Sequence, residues 1–304
     1  MEIVTPTKKD PRLYMVGVLI LFLSLAQLFL GFSQTRQQIL VGFLTCTLLD
    51  FALIYSTTGK IAVPMSGIVS GLSLSLLLDS GTRLLPFILC GALAICSKYV
   101  LKYQNKHFFN PTNFGMAIIL LLGLGSVTPG YQWGGGTTAL WIALSMGGMS
   151  LFRVKRLVLI FAFLGFFVLS AVVLKFYFGQ STTLSFGLMS GAPFQLFTFF
   201  MLPDPRTTPS SPRGQVGFAA ATVLVDFILR VFRVDISLIL SLFIVDIFVL
   251  ISTLIIGSYG VSNWPGMGAK LQPTTADSSL GAGAGSISQH NSDTPMPASR
   301  VGRG

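Results

Sequence analysis

The chain has 304 residues, of which 52% are hydrophobic and only 10% charged, with a mean hydropathy of +0.76. An ordinary soluble domain carries about 25% charged residues, so a soluble enzyme is excluded. Twenty Lys and Arg against ten Asp and Glu give a net charge of +10. These basic residues fall in short loops between apolar runs, where they set topology rather than bind nucleic acid.

Taken against a span of about 20 residues, the apolar windows predict helices over 13–32, 39–55, 61–78, 84–100 and 113–124, then over 138–152, 157–174, 194–202, 216–232 and 236–256. The expected fold is all-α, a polytopic membrane protein of about ten transmembrane helices. A cytoplasmic N-terminus (1–12) precedes a first five-helix half (13–125) and a second (136–257). From 258 to 304 the composition turns to Gly, Ser, Thr, Ala and Pro, which predicts a disordered tail. The first apolar run follows Lys8, Lys9 and Arg12 as a signal peptide would, but it is too long and further spans follow it. Several runs are short or interrupted by Gly, Pro and Ser. Lipid tolerates this only where neighbouring helices or a lined cavity satisfy the freed backbone groups, so the interruptions point to a site.

Charge asymmetry orients the bundle. With the N-terminus inside, twelve basic residues are cytoplasmic, among them Lys60, Lys98, Arg156 and Arg206, against five outside: Arg36, Arg83, Lys175, Arg230 and Arg233. That bias supports an N-in, C-in arrangement. Cys46, Cys90 and Cys96 lie inside apolar runs and read as buried, inert thiols. With His107 and His290 the only histidines, no zinc, iron-sulfur or haem ligand set can be assembled, and no metal site is expected.

The two halves carry matching elements. Met65-Ser66-Gly67 opens a run that ends at Asp79 with Arg83 beyond; Met189-Ser190-Gly191 opens one that ends at Asp204 with Arg206 beyond. Asn110-Pro111-Thr112-Asn113-Phe114-Gly115 corresponds to Ser211-Pro212-Arg213-Gly214-Gln215-Val216, the counterparts differing by one place in span order. Five spans per half make such a repeat inverted, and short helices in corresponding places mark a midplane site between halves. Chance similarity among Gly- and Ser-rich spans is the competing explanation.

The chemistry-bearing segments are Asn110 to Gly115, Ser190-Gly191-Ala192-Pro193 and Met201-Leu202-Pro203-Asp204-Pro205-Arg206-Thr207-Thr208-Pro209. On these motifs the chain resembles the NqrB/RnfD family, the large membrane subunits of sodium-pumping quinone reductases and Rnf electron-transport complexes. It looks closest to a divergent branch encoded in enediyne biosynthesis clusters. The resemblance runs over roughly 10–256. It implies about ten spans in two repeats, a non-covalently bound flavin, and a second FMN esterified to the Thr of an Asp-x-x-Ser/Thr-Gly-Ala-Thr motif. In this chain Gly187 stands at the Asp position and Pro193 at the acceptor Thr. Proline has no hydroxyl, so no covalent FMN is expected.

Each segment also has a plain structural reading. Gly191 and Ala192 let a backbone approach a ring or phosphate, a helix starting near Phe194 would aim N–H groups at an anion, and Phe194, Phe197, Phe199 and Phe200 offer faces to an isoalloxazine ring; equally, this is a tight helix entry in lipid-facing aromatic packing. Pro111 suits a first helical turn, Asn110 or Asn113 can cap it, and Gly115 permits close helix contact. The resemblance makes Asn110, Pro111, Thr112, Asn113 and Gly115 the preferred flavin contacts, with Ser190, Gly191, Ala192, Asp204, Arg206 and Thr207 beside them. Asp204 to Pro209 reads as a rigid turn, and Asp10-Pro11-Arg12 repeats its Asp-Pro-Arg tripeptide. His107, Lys102 and Lys106 read as interfacial anchors. Asp50, Asp226 and Asp246 lie inside spans and are candidates for an ion path, although Asp226 and Arg230 are spaced to pair with each other.

The expectation is therefore a membrane electron-transport subunit in a bacterial inner membrane, at most a redox subunit of a larger oxidoreductase, holding riboflavin or FMN non-covalently beside other membrane or redox subunits. The alternatives are a small-solute, riboflavin-like transporter or channel, and an accessory membrane protein of a biosynthetic pathway.

Overall fold

The computed structural model describes residues 3–6, 10–29, 31–103, 106–128 and 156–257. All belong to one unit, Met1–Gly268; a second unit, Ala269–Gly304, lies outside them. In chain order the helices are α1 (Pro11–Phe29), α2 (Arg36–Thr58), α3 (Met65–Leu77), α4 (Leu85–Val100), α5 (Pro111–Leu121), α6 (Leu157–Phe176), α7 (Thr182–Phe186), α8 (Ala192–Leu196), α9 (Pro212–Val231) and α10 (Ser237–Gly257). A 3-10 turn, Gly187–Ser190, joins α7 to α8, and a π-helical turn, Phe197–Met201, continues α8. Two-residue strands add three small pairings. Ile3–Val4 (β1) runs parallel to Ile61–Ala62 (β2). Leu78–Asp79 (β3) is antiparallel to Ser126–Val127 (β6), and Lys102–Tyr103 (β4) to Lys106–His107 (β5).

The described chain is mostly helical, and five of its helices are long and apolar enough to cross a membrane: α1, α2, α6, α9 and α10. A sixth crossing exists if Thr182–Ser190 and Ala192–Met201, bent by 58°, make one broken span. The runs expected at 61–78, 84–100 and 113–124 form helices of 13, 16 and 11 residues. At about 1.5 Å per residue, α3 reaches only about 20 Å, short of a hydrocarbon core of about 30 Å. The run at 194–202 is α8 plus the π turn. The expected helix at 138–152 and the tail at 258–304 lie outside the described residues.

Local chemistry fixes the helix ends. Thr35 and Gln38 form a reciprocal capping box on α2, the Gln38 N–H donating to Thr35 Oγ1 at 3.2 Å and the Thr35 N–H to Gln38 Oε1 at 2.8 Å. At its other end Gly59 takes φ +67°, the left-handed cap that glycine adopts without a Cβ penalty. Asn110 and Ser211 cap the N-termini of α5 and α9 with their side chains alone. Each accepts the N–H three residues on, Asn113 and Gly214, at 3.2 Å, and each is followed by a proline at the first helical position.

Helix α3 has two faces. A Cβ on Gly67 would lie 2.5 Å from the Cys46 carbonyl oxygen, and one on Gly71 2.8 Å from Phe43 Cα. This Gly-x-x-x-Gly face therefore lies directly on the backbone of α2, the small-residue contact that membrane helices use when no hydrophobic force draws them together. The neighbouring stripe, Ser66, Ser70 and Ser73, lines a cavity. On the other side of the bundle, Phe163, Phe167, Phe194 and Phe197 stack with centroids 4.7–5.9 Å apart, tying α6 to α8 and the π turn. Cys46 and Cys90 are buried as expected, but Cys96 is exposed. It sits on the outer face of α4, a position that hydropathy cannot tell from the inner one.

Candidate functional site

The π turn and the segment after it bring two of the three sequence-selected segments together. Asn110 is the hinge of this arrangement. Its Oδ1 accepts the Asn113 N–H, and its Nδ2 donates to the Met201 carbonyl at 3.2 Å. One side chain thus caps α5 and holds the last residue of the π turn. Between these elements, α3 and the start of α1 lies a cavity of about 540 Å³, within the usual range of small-molecule sites, about 300–1,000 Å³.

Asn110, Pro111, Thr112, Asp204 and Arg206 all line it. Asn113 and Gly115 do not, for physical reasons. Asn113 is fully buried, and with its amide turned to match its neighbours Nδ2 donates to the Ile239 carbonyl at 3.3 Å while Oδ1 accepts the Phe243 N–H at 3.2 Å. It braces α10 instead of presenting an exposed amide. Gly115 lets α5 touch α4, since a Cβ there would lie 2.4 Å from the Cys90 carbonyl oxygen. Ser190, Gly191 and Ala192 lie outside the cavity lining; Ser190 donates to the Gly187 carbonyl at 2.7 Å and Gly191 begins α8, a helix of only five residues.

Asp204 to Thr208 forms the tight turn anticipated from its prolines. Asp204 Oδ1 accepts the Arg206 N–H at 3.0 Å, and its carbonyl accepts the Thr208 hydroxyl at 2.7 Å and the Thr207 and Thr208 N–H groups. Thr207 is used up in this turn and does not line the cavity. Asp10-Pro11-Arg12 repeats the geometry across the mouth: Asp10 Oδ1 accepts the Arg12 N–H at 2.9 Å, and the two side chains pair at 2.8 Å. The Arg12 guanidinium, hydrogen-bonded to Asp10, holds that carboxyl below its ordinary value of 3.8, and burial only partly opposes it. A lowered carboxyl means the pair is intact above pH 3.8 and is lost only as the pH falls through the lower folded value. Acidification from pH 7 to 5 is therefore expected to leave this side of the mouth unchanged, which intrinsic-fluorescence unfolding curves at the two pH values would check.

Several lining groups were not marked as site residues by sequence. His107, read as an interfacial anchor, is buried in the lining with Nε2 3.9 Å from Asp204 Oδ2, an ion pair only when the imidazole carries a proton. Of the four phenylalanines that sequence offered to a flavin ring, Phe199 and Phe200 supply an apolar wall, while Phe194 and Phe197 pack on Phe163 of α6 and do not line the cavity. Ser66, Ser70 and Ser73 were hidden in an apolar run. Their spacing of four and three residues was the available signal, because it puts all three on one helix face.

The three intramembrane aspartates occupy three different surroundings. Asp50 is fully satisfied: Oδ2 accepts the Gly67 N–H at 2.8 Å in the first turn of α3, and Oδ1 accepts Lys98 Nζ and the Tyr99 hydroxyl, each at 2.7 Å. Asp226 accepts the Ser237 hydroxyl at 2.7 Å and lies 3.7 Å from Arg230, as their spacing suggested. Arg230 in turn donates to the Leu184 and Ser185 carbonyls and so anchors α7. Asp246 is 1% exposed; neither oxygen forms a hydrogen bond among the described residues, although the Asn110 backbone N–H is directed at it. Among the described residues no three His, Cys, Asp or Glu side chains converge as a metal site would require.

The cavity thus joins a charged mouth, a hydroxyl-lined wall and an aromatic wall, an arrangement suited to binding a flat, partly polar molecule. No protein-family model matches the chain, and no curated protein matches it.

Proposed function

We propose that this membrane protein is an electron-transport subunit of NqrB/RnfD type that holds a flavin non-covalently in the cavity between α1, α3, α5 and the π turn. The observation that carries this reading is the meeting of Asn110-Pro111-Thr112 with Asp204-Pro205-Arg206 around one ligand-sized space walled by Phe199 and Phe200. Those segments came from a resemblance and lie about ninety residues apart in sequence, joined here by the Asn110 to Met201 hydrogen bond. The inverted repeat of about ten spans is part of the same proposal. The matching caps at Asn110 and Ser211, each with a proline behind it, support it. So do the matching turns in which Asp79 and Asp204 each accept the N–H two residues on. We place the chain N-in and C-in in a bacterial inner membrane on its charge asymmetry, beside partner subunits that deliver and remove electrons.

A bound flavin supplies the redox chemistry. The protein's own residues position it and keep water from its buried side: Phe199 and Phe200 offer faces for stacking, and Thr112 and the α3 serines offer hydroxyls to a ring edge. Pro193 gives no oxygen for an ester, so the flavin is expected to leave with denaturation.

The test is the absorbance spectrum of detergent-purified protein, repeated on the filtrate after acid denaturation. About one flavin per chain, all in the filtrate, is the expected result. Flavin retained by the polypeptide would overturn the non-covalent assignment. A colourless protein that takes up no added flavin would overturn the flavoprotein reading and move solute transport ahead.

A further inference from the structure

The two arms of the bent span are held in very different ways. The arm Ala192–Met201 is packed into the bundle, and every residue from 194 to 203 is buried. The other arm, Thr182–Ser190, turns 58° away from it, with the extended Gly191 between them. Ser185 is the one buried residue of this second arm. It lies toward the membrane face opposite the Asp204 turn. Near the start of α9, a Cβ on Gly214 would lie 2.7 Å from Pro209, which follows that turn. Arg230, which meets the exposed arm, is on the same helix about 24 Å farther along, at about 1.5 Å per residue.

Among the described residues, the hydrogen bonds that tie Thr182–Ser190 to a helix outside its own span both come from Arg230. Its Nη2 donates to the Leu184 carbonyl at 3.0 Å and to the Ser185 carbonyl. The guanidinium lies 4.9 Å over the Phe167 ring of α6, and its counter-charge, Asp226, accepts the Ser237 hydroxyl. This grip is incompletely satisfied. Arg230 Nη1 and Asp226 Oδ2 stand 3.7 Å apart and neither forms a hydrogen bond among the described residues, nor does Ser185 Oγ. Unbonded buried atoms occur singly elsewhere, on Thr47 and Thr198 for example; here three fall on residues that hold one another. Each carries the desolvation penalty of an unmade bond, which water reaching the pair would remove. The ion pair at the start of α3 has no such deficit, since both Asp50 oxygens are bonded, to the Gly67 N–H, Lys98 and Tyr99. Two bonds set against a penalty that hydration relieves make a latch, where the Asp50 cluster makes a fixed brace.

We propose that Thr182–Ser190 is a hinged flap, closed by the fork of Arg230 and turning about Gly191, that opens to admit water to the Asp226–Arg230 pair while Ala192–Met201 stays packed. Gly191 is a residue at the end of an element, where hinge motions are absorbed. The Gln195 Nε2 bond to the Met189 carbonyl, 2.9 Å, ties the flap to the packed arm beside this pivot. The inference goes beyond the flavin reading and does not depend on what fills the cavity.

The test is thiol labelling of the full chain in micelles with a charged methanethiosulfonate. Ser185→Cys puts a thiol beneath the flap and leaves the latch intact, because the latch uses the carbonyls of 184 and 185. Cys96→Ser removes the exposed native thiol, while Cys46 and Cys90 are buried and serve as internal controls. With the pair intact, residue 185 is expected to react slowly, yet faster than Cys90. Asp226→Asn combined with Arg230→Met removes both charges so that neither is stranded. It should speed labelling at 185 by at least about tenfold, the scale of one charge-assisted hydrogen bond, and leave Cys90 unreactive. Arg230→Lys keeps a counter-charge for Asp226 but gives up the two-carbonyl fork. It should also speed labelling at 185, and it carries the test if the double variant does not fold. Labelling at 185 that neither variant changes would overturn the latch. Labelling already as fast with the pair intact would show that nothing holds the flap closed, and would overturn it too. If Cys90 became reactive together with residue 185, the whole bundle would have loosened, and the pair would be a brace for the fold instead.

Discussion

Asp50→Ala is expected to destabilise the protein by about 3–5 kcal/mol, the usual result of removing one member of a buried charge pair. Asp50 is fully buried, and the Lys98 side chain that meets it is 13% exposed, so the ammonium would be left without a counter-charge in a place water reaches poorly. The same substitution strips the Gly67 N–H of its acceptor and leaves the Tyr99 hydroxyl only its longer bond, 3.4 Å, to the backbone carbonyl of residue 50. One residue of α2 thus holds the first turn of α3 and the last turns of α4. Unfolding followed by near-ultraviolet circular dichroism in micelles would measure the loss. The double variant Asp50→Asn with Lys98→Met should recover much of it, because the stranded charge is gone. A loss for Asp50→Ala no larger than that of an exposed pair, about 1 kcal/mol or less, would show that water enters the cluster freely.

Gly115→Ala tests the second tight contact. The added Cβ would lie 2.4 Å from the Cys90 carbonyl oxygen and 3.1 Å from Ala94 Cβ. The nearest atom is backbone, so no rotamer change relieves the clash, and α4 and α5 must separate. Overpacking of this kind costs about 1–3 kcal/mol. Because Gly115 is about one turn along from Asn110 and Thr112, the displacement should also weaken binding of the flavin proposed for this cavity. Gly17→Ala on α1 is the control. Nothing lies within 4 Å of its Cβ, and alanine should gain about 1 kcal/mol of helix propensity there. Unfolding midpoints moving in opposite directions for the two variants are the expected outcome; equal shifts would show that α4 and α5 part without resistance.

What could be read beforehand follows from which physical signal each residue carries. Length and apolarity are additive along the chain, so α1, α2, α6, α9 and α10 were visible as runs. The same sums overstated α3 and α5: the apolar Ile61–Ala62 pair with β1 before α3 begins at Met65, and the chain stays apolar past Leu121, where the helix of α5 ends. Asn110 and Asn113 looked alike as capping amides, yet one caps α5 at the cavity while the other braces α10. Only the direction of the helix decides this, since three residues along turn a side chain to a different neighbour. The serine stripe was missed because hydropathy counts a serine in an apolar run as a slight dilution, with no account of which face it occupies. Cys96 was misplaced for the same reason. The three aspartates were rightly singled out as costly, but cost alone does not separate Asp50, whose oxygens are fully used, from Asp246, whose oxygens are not.

The π turn at Phe197–Met201 has a further consequence for how this region tolerates change in chain length. A π turn holds one residue more than the α-helix that would replace it. Because the extra residue is absorbed within the turn, deleting one residue there lets the segment close into regular helix while the flanking segments keep close to their present angle. Leu202 and the Asp204 turn then stay beside α5, next to the Asn110 amide that now holds the end of the turn. A single deletion within Phe197–Met201 should therefore be tolerated far better than one within regular helix such as α9, where losing a residue turns everything beyond it by about 100°.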